Sequence, residues 1–286
     1  MSLCVSYLEK VLVEIDALPP VSEVFHKILE LTGGDDASRD ELVRCVSLDP
    51  AIAAKILQTI NSAYFGVSEK VSSLKVAVGL LGDVNIRDIA IMCAASGFLR
   101  KSIMGYGIMV EEFWFHSVTA AFASRQISEK IGGEDHDLAF SAGLLHDIGK
   151  LAIDRVVRET QKDMSWDKEK DFMPHYHEME TDAYGFDHCT AGFFLARSWN
   201  LPDKLTSAIA FHHATDLEGQ DNELIHIVNF ADILAHFMSM KIINSDFIML
   251  LLEENQIPFE FSPRDIEEVY AKLRIEMEYS EALLKM

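Results

Sequence analysis

Apolar residues recur at helical spacing along almost the whole chain, and no stretch alternates apolar and polar positions between hairpin turns. The pattern predicts an all-α protein. After the breaker Leu18-Pro19-Pro20, residues Val21, Val24, Phe25, Ile28, Leu29 and Leu31 follow i, i+3, i+4, i+7 spacing, and Gly33-Gly34 ends that helix. Ser38 with Glu41 reads as a capping box for a short helix ending near Leu48. Asp49-Pro50 then starts a helix that continues through AIAAKILQTINSAYF to Gly66. Further helices are predicted over Ser73–Leu81, Asn85–Leu99, Met109–Ile131, His188–Trp199, Asp203–His213 and Glu223–Met240, with another running from Glu134 into HDIGK. Residues 159–174 are charged and weakly patterned, as expected of a solvated excursion. The pattern lapses at 101–107, around Gly105 and Gly107. The predicted organisation is therefore an N-terminal helical subdomain over 1–106, a second subdomain over 107–240, and a C-terminal extension of two or three helices over 241–286.

Composition narrows the class. The chain has 286 residues, of which 49% are hydrophobic, enough to close a core. The longest apolar run, Ile89 to Leu99, falls well short of the roughly 20 residues needed to cross a bilayer, so no membrane span is expected. The N-terminus lacks the pattern of a secretory signal, which points to the cytoplasm. Cys4, Cys45, Cys93 and Cys189 include no C-x-x-C and read as reduced core thiols. A net charge of −21 repels a phosphate backbone, which argues against nucleic acid as a direct partner. A phosphorylated substrate would need local positive charge, and bound metal ions supply it.

Candidate chemistry centres on His146-Asp147, at the end of the apolar run AFSAGLLHDIGK. Two polar side chains there are costly unless paired, either with a divalent cation or in a buried hydrogen-bonded pair. Gly149 lets the chain turn close to a bound group, and Lys150 has the spacing to hold a phosphate oxygen or to answer a helix dipole. Glu112 and His116 share a helix face, His188 starts a helix, His212-His213 ends one, and Asp232 is embedded in an apolar helix. His175 and His177 have no third donor near them in sequence, and with His26, His136, His226 and His236 they read as surface or packing residues.

The ordered series, with GLLHDIGK at 143–150, resembles the HD superfamily of metal-dependent phosphohydrolases. More of the chain resembles one branch, the HDOD domain. The matching segments are LPPVSEVFHKILEL at 18–31, SLDPAIAAKILQTINSAYFG at 47–66, AVGLLG at 77–82, FWFHS at 113–117, YGFDHCTAGFFLARSWNLP at 184–202 and AIAFHH at 208–213. The resemblance implies an HD-like helical domain joined to an N-terminal helical part, and a role in bacterial signal transduction through a protein partner. Members of this branch are often regarded as catalytically inactive. Carried over residue by residue from the related HD-GYP phosphodiesterases, the metal ligands would be Glu112, His116, His146, Asp147, His188, His212, His213 and Asp232. Asp147 would bridge two ions, iron, manganese, nickel or magnesium, and Lys150 would bind phosphate. After His213, ATDLEGQDNELIH contains no Gly-Tyr-Pro, the segment that helps that relative bind cyclic di-GMP, so this substrate is not implied. Three functions follow as expectations. They are a signalling module with a retained or vestigial metal site, an active phosphohydrolase of a phosphomonoester or nucleotide phosphodiester, and a nucleotide sensor without turnover.

Overall fold

The computed structural model describes residues 2–32, 39–62, 65–133, 135–162, 164, 175–214, 222–241 and 244–284. The Ser38 capping box, most of the charged excursion and most of the segment after His213 lie outside them. The fold is all-α, and the only β-type pairing among the described residues is a single bridge between Ile103 and Ile108. Among those residues no helix is long and apolar enough to cross a membrane.

The chain forms two compact units, one of residues 1–20 with 99–270 and one of residues 21–98 with 271–286. The second contains α2 (Glu23–Thr32), α3 (Arg39–Ser47), α4 (Pro50–Ile60), α5 (Leu74–Leu81) and α6 (Asp83–Leu99), with α3 packed on α2, α4 and α5. Its core holds Phe25, Ile28, Val46, Ile56 and Val78, and the rings of Phe25 and Phe98 meet edge to face. Asp49 caps α4 by accepting from the backbone N–H groups of Ala51 and Ile52. That helix ends at Ile60 instead of continuing toward Gly66, because the Asn61 side chain accepts from Val71 N and donates to Val71 O, both at 2.7 Å.

The larger unit begins with α1 (Ser2–Ala17), which packs on α9 (Gly149–Thr160) and α11 (His188–Ser198). At its centre α7 (Val110–Ile131) packs on α8 (His136–Leu145) and α13 (Glu223–Met240), and α11 packs on α9 and α12 (Asp203–Phe211). Gly132, in the left-handed region at φ 75°, stops α7. The helix predicted to run into HDIGK ends at Leu145, and a second helix starts at Gly149. The break spans 146–148, where Ile148 N donates to Leu145 O at 3.1 Å and Lys150 N to Asp147 O at 3.0 Å. A short helix absent from the sequence reading, α10 (Tyr176–Tyr184), precedes α11. The C-terminal region supplies α14 (Ser245–Glu254) and α15 (Pro263–Leu284).

Residues 101–107, where the helical pattern lapses, belong to the larger unit, whose second segment starts at residue 99. Gly105 N donates to Asp154 Oδ1 at 2.7 Å, and Tyr106 is buried.

Candidate metal centre

Two close helix contacts assemble the site. Gly143 of α8 lies against the Ala120 carbonyl of α7, where a β-carbon would collide with it. His116, one turn before Ala120, therefore meets His146, one turn after Gly143, with their Nε2 atoms 3.2 Å apart. Gly149 lies in the same way against the His188 carbonyl of α11. The sequence reading assigned this glycine to approach of a bound group. What it admits is backbone, and the approach brings His188 Nε2 to 3.3 Å from Asp147 Oδ1.

The ring nitrogens have defined roles. His146 Nδ1 donates to Gly143 O at 2.7 Å, and His212 Nδ1 to Ile209 O at 2.9 Å. His188 Nδ1 donates to Glu180 Oε2 at 2.7 Å, and the same oxygen accepts from the His188 backbone N–H at 2.6 Å. Carbonyl and carboxylate oxygens only accept, so each of these Nδ1 atoms carries a proton, and each ring turns its Nε2 inward.

The ring Nε2 atoms converge on Asp147. Around its Oδ2, His116 Nε2 lies at 3.7 Å and His146 Nε2 at 3.5 Å, and Asp232 Oδ1 is 3.0 Å from His116 Nε2 and 3.6 Å from His146 Nε2. Around its Oδ1, His188 Nε2 lies at 3.3 Å and His212 Nε2 at 4.0 Å, with 3.4 Å between the two rings' Nε2 atoms. Ligands about 2.0–2.2 Å from one ion are separated by about 3.0–3.5 Å, and the separations in both halves of the cluster lie within about half an ångström of that range. Asp147 Oδ1 is buried and receives no hydrogen bond among the described residues. An acceptor facing acceptors calls for a cation, and the donor set fits one on each side of the carboxylate.

Electrostatics divide the rings: burial lowers His146, but Asp147 and Asp232 beside it hold it above the ordinary imidazole range. Burial holds the His212 ring well below the usual imidazole range, with further lowering from His146 and His188, so it stays neutral and able to ligate. His213 is lowered in the same way, by burial and then by His212 and His188. Burial opposes charge on Asp147, yet Lys150 and the surrounding rings hold its carboxyl well below the ordinary carboxylate value. Asp232 is likewise held low against burial, by the His116 and His146 rings beside it.

The other expected residues fall into place around this core. Lys150 is buried, and its Nζ donates to Asp147 Oδ2 at 2.5 Å while lying 5.0 Å from the Tyr176 ring centre. His213 belongs with His188, Cys189 and His212 to a group whose ligand atoms lie within 4.8 Å of one another. Glu112 lines the cavity, but its Oε2 accepts from Met109 N at 3.0 Å and so caps α7.

Three participants escape the sequence reading. His177, set aside for want of a third donor, stacks on His213 with ring centres 4.3 Å apart, and no hydrogen bond reaches its Nδ1 among the described residues. Glu180 is fully buried and accepts from Tyr106 OH at 2.5 Å as well as from His188. Their helix, α10, has a signal in Tyr176, Glu180 and Tyr184 at fourfold spacing, hidden beside the charged excursion. Cys189, read as a core thiol, faces the His212 ring with its Sγ 3.7 Å from Nδ1 and 3.9 Å from Nε2. The Glu180→Gln variant, which removes the charge polarising His188, is expected to weaken divalent-metal affinity about 10- to 100-fold while the fold persists. Chelator competition with circular dichroism checks both halves of this expectation.

A cavity of about 780 Å³ opens onto the cluster, lined by His116, Asp147, Lys150, His213 and Asp232. Tyr176, Phe247 and Leu251 supply apolar wall. Its size suits a ligand of nucleotide scale.

Comparison with known proteins agrees with this architecture. A protein from Shewanella amazonensis SB2B named as a candidate phosphohydrolase superposes with a TM-score of 0.68 at 21% identity, covering 96% of this chain and 98% of that one. An HDOD domain protein of unknown function from Geobacter sulfurreducens gives a TM-score of 0.61 at 24% identity, covering 79% and 77% of the two chains. An uncharacterised protein of Treponema pallidum (strain Nichols) is 22% identical over 257 residues, and the match spans 88% of this chain and 46% of that protein's length. The sequence profile of the HDOD domain matches residues 18–215, more than half of the chain. This is a member of the HDOD family.

Proposed function

We propose that this HDOD chain is a signal-transduction protein that retains a working two-metal phosphohydrolase site. One cation would be held by His116, His146, Asp147 and Asp232, and the other by Asp147, His188, His212 and His213. The observation that carries the reading is the convergence of His188 and His212 Nε2 on a buried carboxylate oxygen that receives no hydrogen bond among the described residues. A scaffold has no use for that arrangement, which costs stability unless a cation joins it.

Bound divalent cations would supply Lewis acidity toward a phosphoryl oxygen and bring the pKa of water toward neutrality. The chain's own residues prepare the site around that chemistry. Glu180 and the carbonyls of Gly143 and Ile209 hold the three rings in the ligating tautomer. Lys150 neutralises Asp147 when no cation is bound. Its ammonium also lines the cavity, where it would hold a phosphate oxygen. The aromatic wall shields the reacting group from bulk water.

The Lys150–Asp147 pair also supports a second reading, in which the ammonium replaces the cations permanently and the fold acts as a metal-free partner-binding module. Metal analysis of untagged, anaerobically purified protein separates the two, combined with assays on phosphomonoesters and cyclic dinucleotides with manganese or ferrous iron. About two equivalents of metal per chain with turnover are expected, and neither metal nor turnover leaves the second reading. Chelation should lower the unfolding free energy by about 3 kcal/mol for each cation present at 100 times its Kd, measured by thermal or denaturant unfolding.

A further inference from the structure

We propose that Tyr106 is a positioning residue of the metal centre, and that the turn carrying it is a point from which affinity at the Asp147 Oδ1 half is set. This rests on the paired-metal reading above and adds to it a control element outside the ligand set. Met104–Tyr106 form a single turn of 3₁₀ helix, closed by Ile103 N donating to Ile108 O at 2.9 Å and Ile108 N to Ile103 O at 3.2 Å. The turn lies a few residues after the boundary between the two units at residue 98.

Packing holds the turn in place. Ile103 and Tyr106 are buried, and the hydrogen bond from Gly105 N to Asp154 Oδ1 ties the turn to α9. A β-carbon at residue 105 would lie 2.8 Å from Val157 Cβ and 3.0 Å from the Asp154 carbonyl oxygen, so the close seat on α9 requires glycine.

Two branches leave the Tyr106 side chain. Its hydroxyl donates to Glu180 Oε1 at 2.5 Å, while Oε2 of the same carboxylate accepts from the His188 backbone N–H and from His188 Nδ1. Glu180 is fully buried, so its orientation is set by these three donors. Without the hydroxyl, Oε1 loses a partner in a site closed to water, and the carboxylate turns to recover one. The His188 ring, hydrogen-bonded to the other oxygen, then leaves the alignment that points Nε2 at Asp147 Oδ1. The second branch is aromatic. The Tyr106 ring meets the Tyr176 ring edge to face with centres 5.4 Å apart, and Lys150 Nζ lies 5.0 Å from the Tyr176 centre. Tyr106→Phe removes the first branch and keeps the second.

Manganese titration of the full chain, with chelator competition resolving the two equivalents, tests the assignment. Tyr106→Phe should retain the circular-dichroism spectrum and weaken one equivalent about tenfold, with the other unchanged. A double-mutant cycle supplies a readout that a merely structural role would not move. In a Glu180→Ala background the same substitution should cost less than about twofold, because the hydroxyl acts through that carboxylate. No loss in the single variant, or equal losses in both backgrounds, would overturn the positioning role while leaving the paired-metal reading intact. No manganese uptake by the unaltered protein would overturn both. Asp154→Ala, which releases Gly105 N without altering an atom between Tyr106 and His188, should weaken the same equivalent. Affinities unchanged in that variant would remove the turn as a point of control and leave the Tyr106 assignment to the cycle.

Discussion

Alanine at position 149 is expected to lower the unfolding free energy by about 3 kcal/mol or more and to abolish tight metal binding. A β-carbon there would overlap the His188 carbonyl oxygen and come within 2.6 Å of Gly192 N, and both obstacles are backbone. Neither can rotate away. Overpacking is usually relieved by side chains that change rotamer, whereas here α9 and α11 must separate. Those helices carry Lys150 and His188, and Asp147 lies in the turn between α8 and α9, so the separation opens the Oδ1 half of the cluster. Gly79→Ala is the control, because its added carbon meets nothing within 4 Å and residue 79 lies inside α5. That substitution should be neutral or stabilising by up to about 1 kcal/mol. Denaturant unfolding of the two variants checks the contrast, and equal destabilisation would show that contact between α9 and α11 is not what limits residue 149.

Asp147→Ala should eliminate stoichiometric binding of both cations, since each carboxylate oxygen serves one half of the cluster. Stability should fall as well, by about 3–5 kcal/mol, because the buried Lys150 ammonium loses the partner at 2.5 Å that compensates its desolvation. The double variant Asp147→Ala Lys150→Met separates the two effects. It should recover much of the stability, because no unpaired charge remains, yet bind no metal. Calorimetric metal titration and thermal unfolding of both variants supply the measurements, and a single variant that still binds two equivalents would show that Asp147 is not the bridge.

These variants separate what is local in the chain from what is not. Helix positions follow from 3.6-residue periodicity and its punctuation, so α7, α11, α12 and α13 lie where the apolar spacing puts them. The order of donors is equally legible. His116, His146, Asp147, His188, His212, His213 and Asp232 stand out because polar groups in apolar helices demand a partner, and the structure brings these seven together. Glu112 shows where that reasoning stops. Its spacing from His116 is right for a shared ligand, but at the third position of α7 its carboxylate has an N-terminal N–H within reach and takes it.

The amino-acid sequence by itself determined the fold class, the family and the stock of donors, because each depends on neighbours a few residues apart or on motifs read in order. Only the tertiary structure decided which atoms of those donors face inward. The proton on His188 Nδ1 is set by Glu180, itself held by Tyr106, 74 residues earlier in the chain. The break after Leu145 turned a single predicted helix into a corner, and the glycine expected to approach a ligand proved to admit a neighbouring helix. His177 and Cys189 lie beside His213 and His212 only through packing between distant segments. Lone-pair direction, tautomer and backbone approach are properties of contacts between distant segments, and no local pattern encodes them.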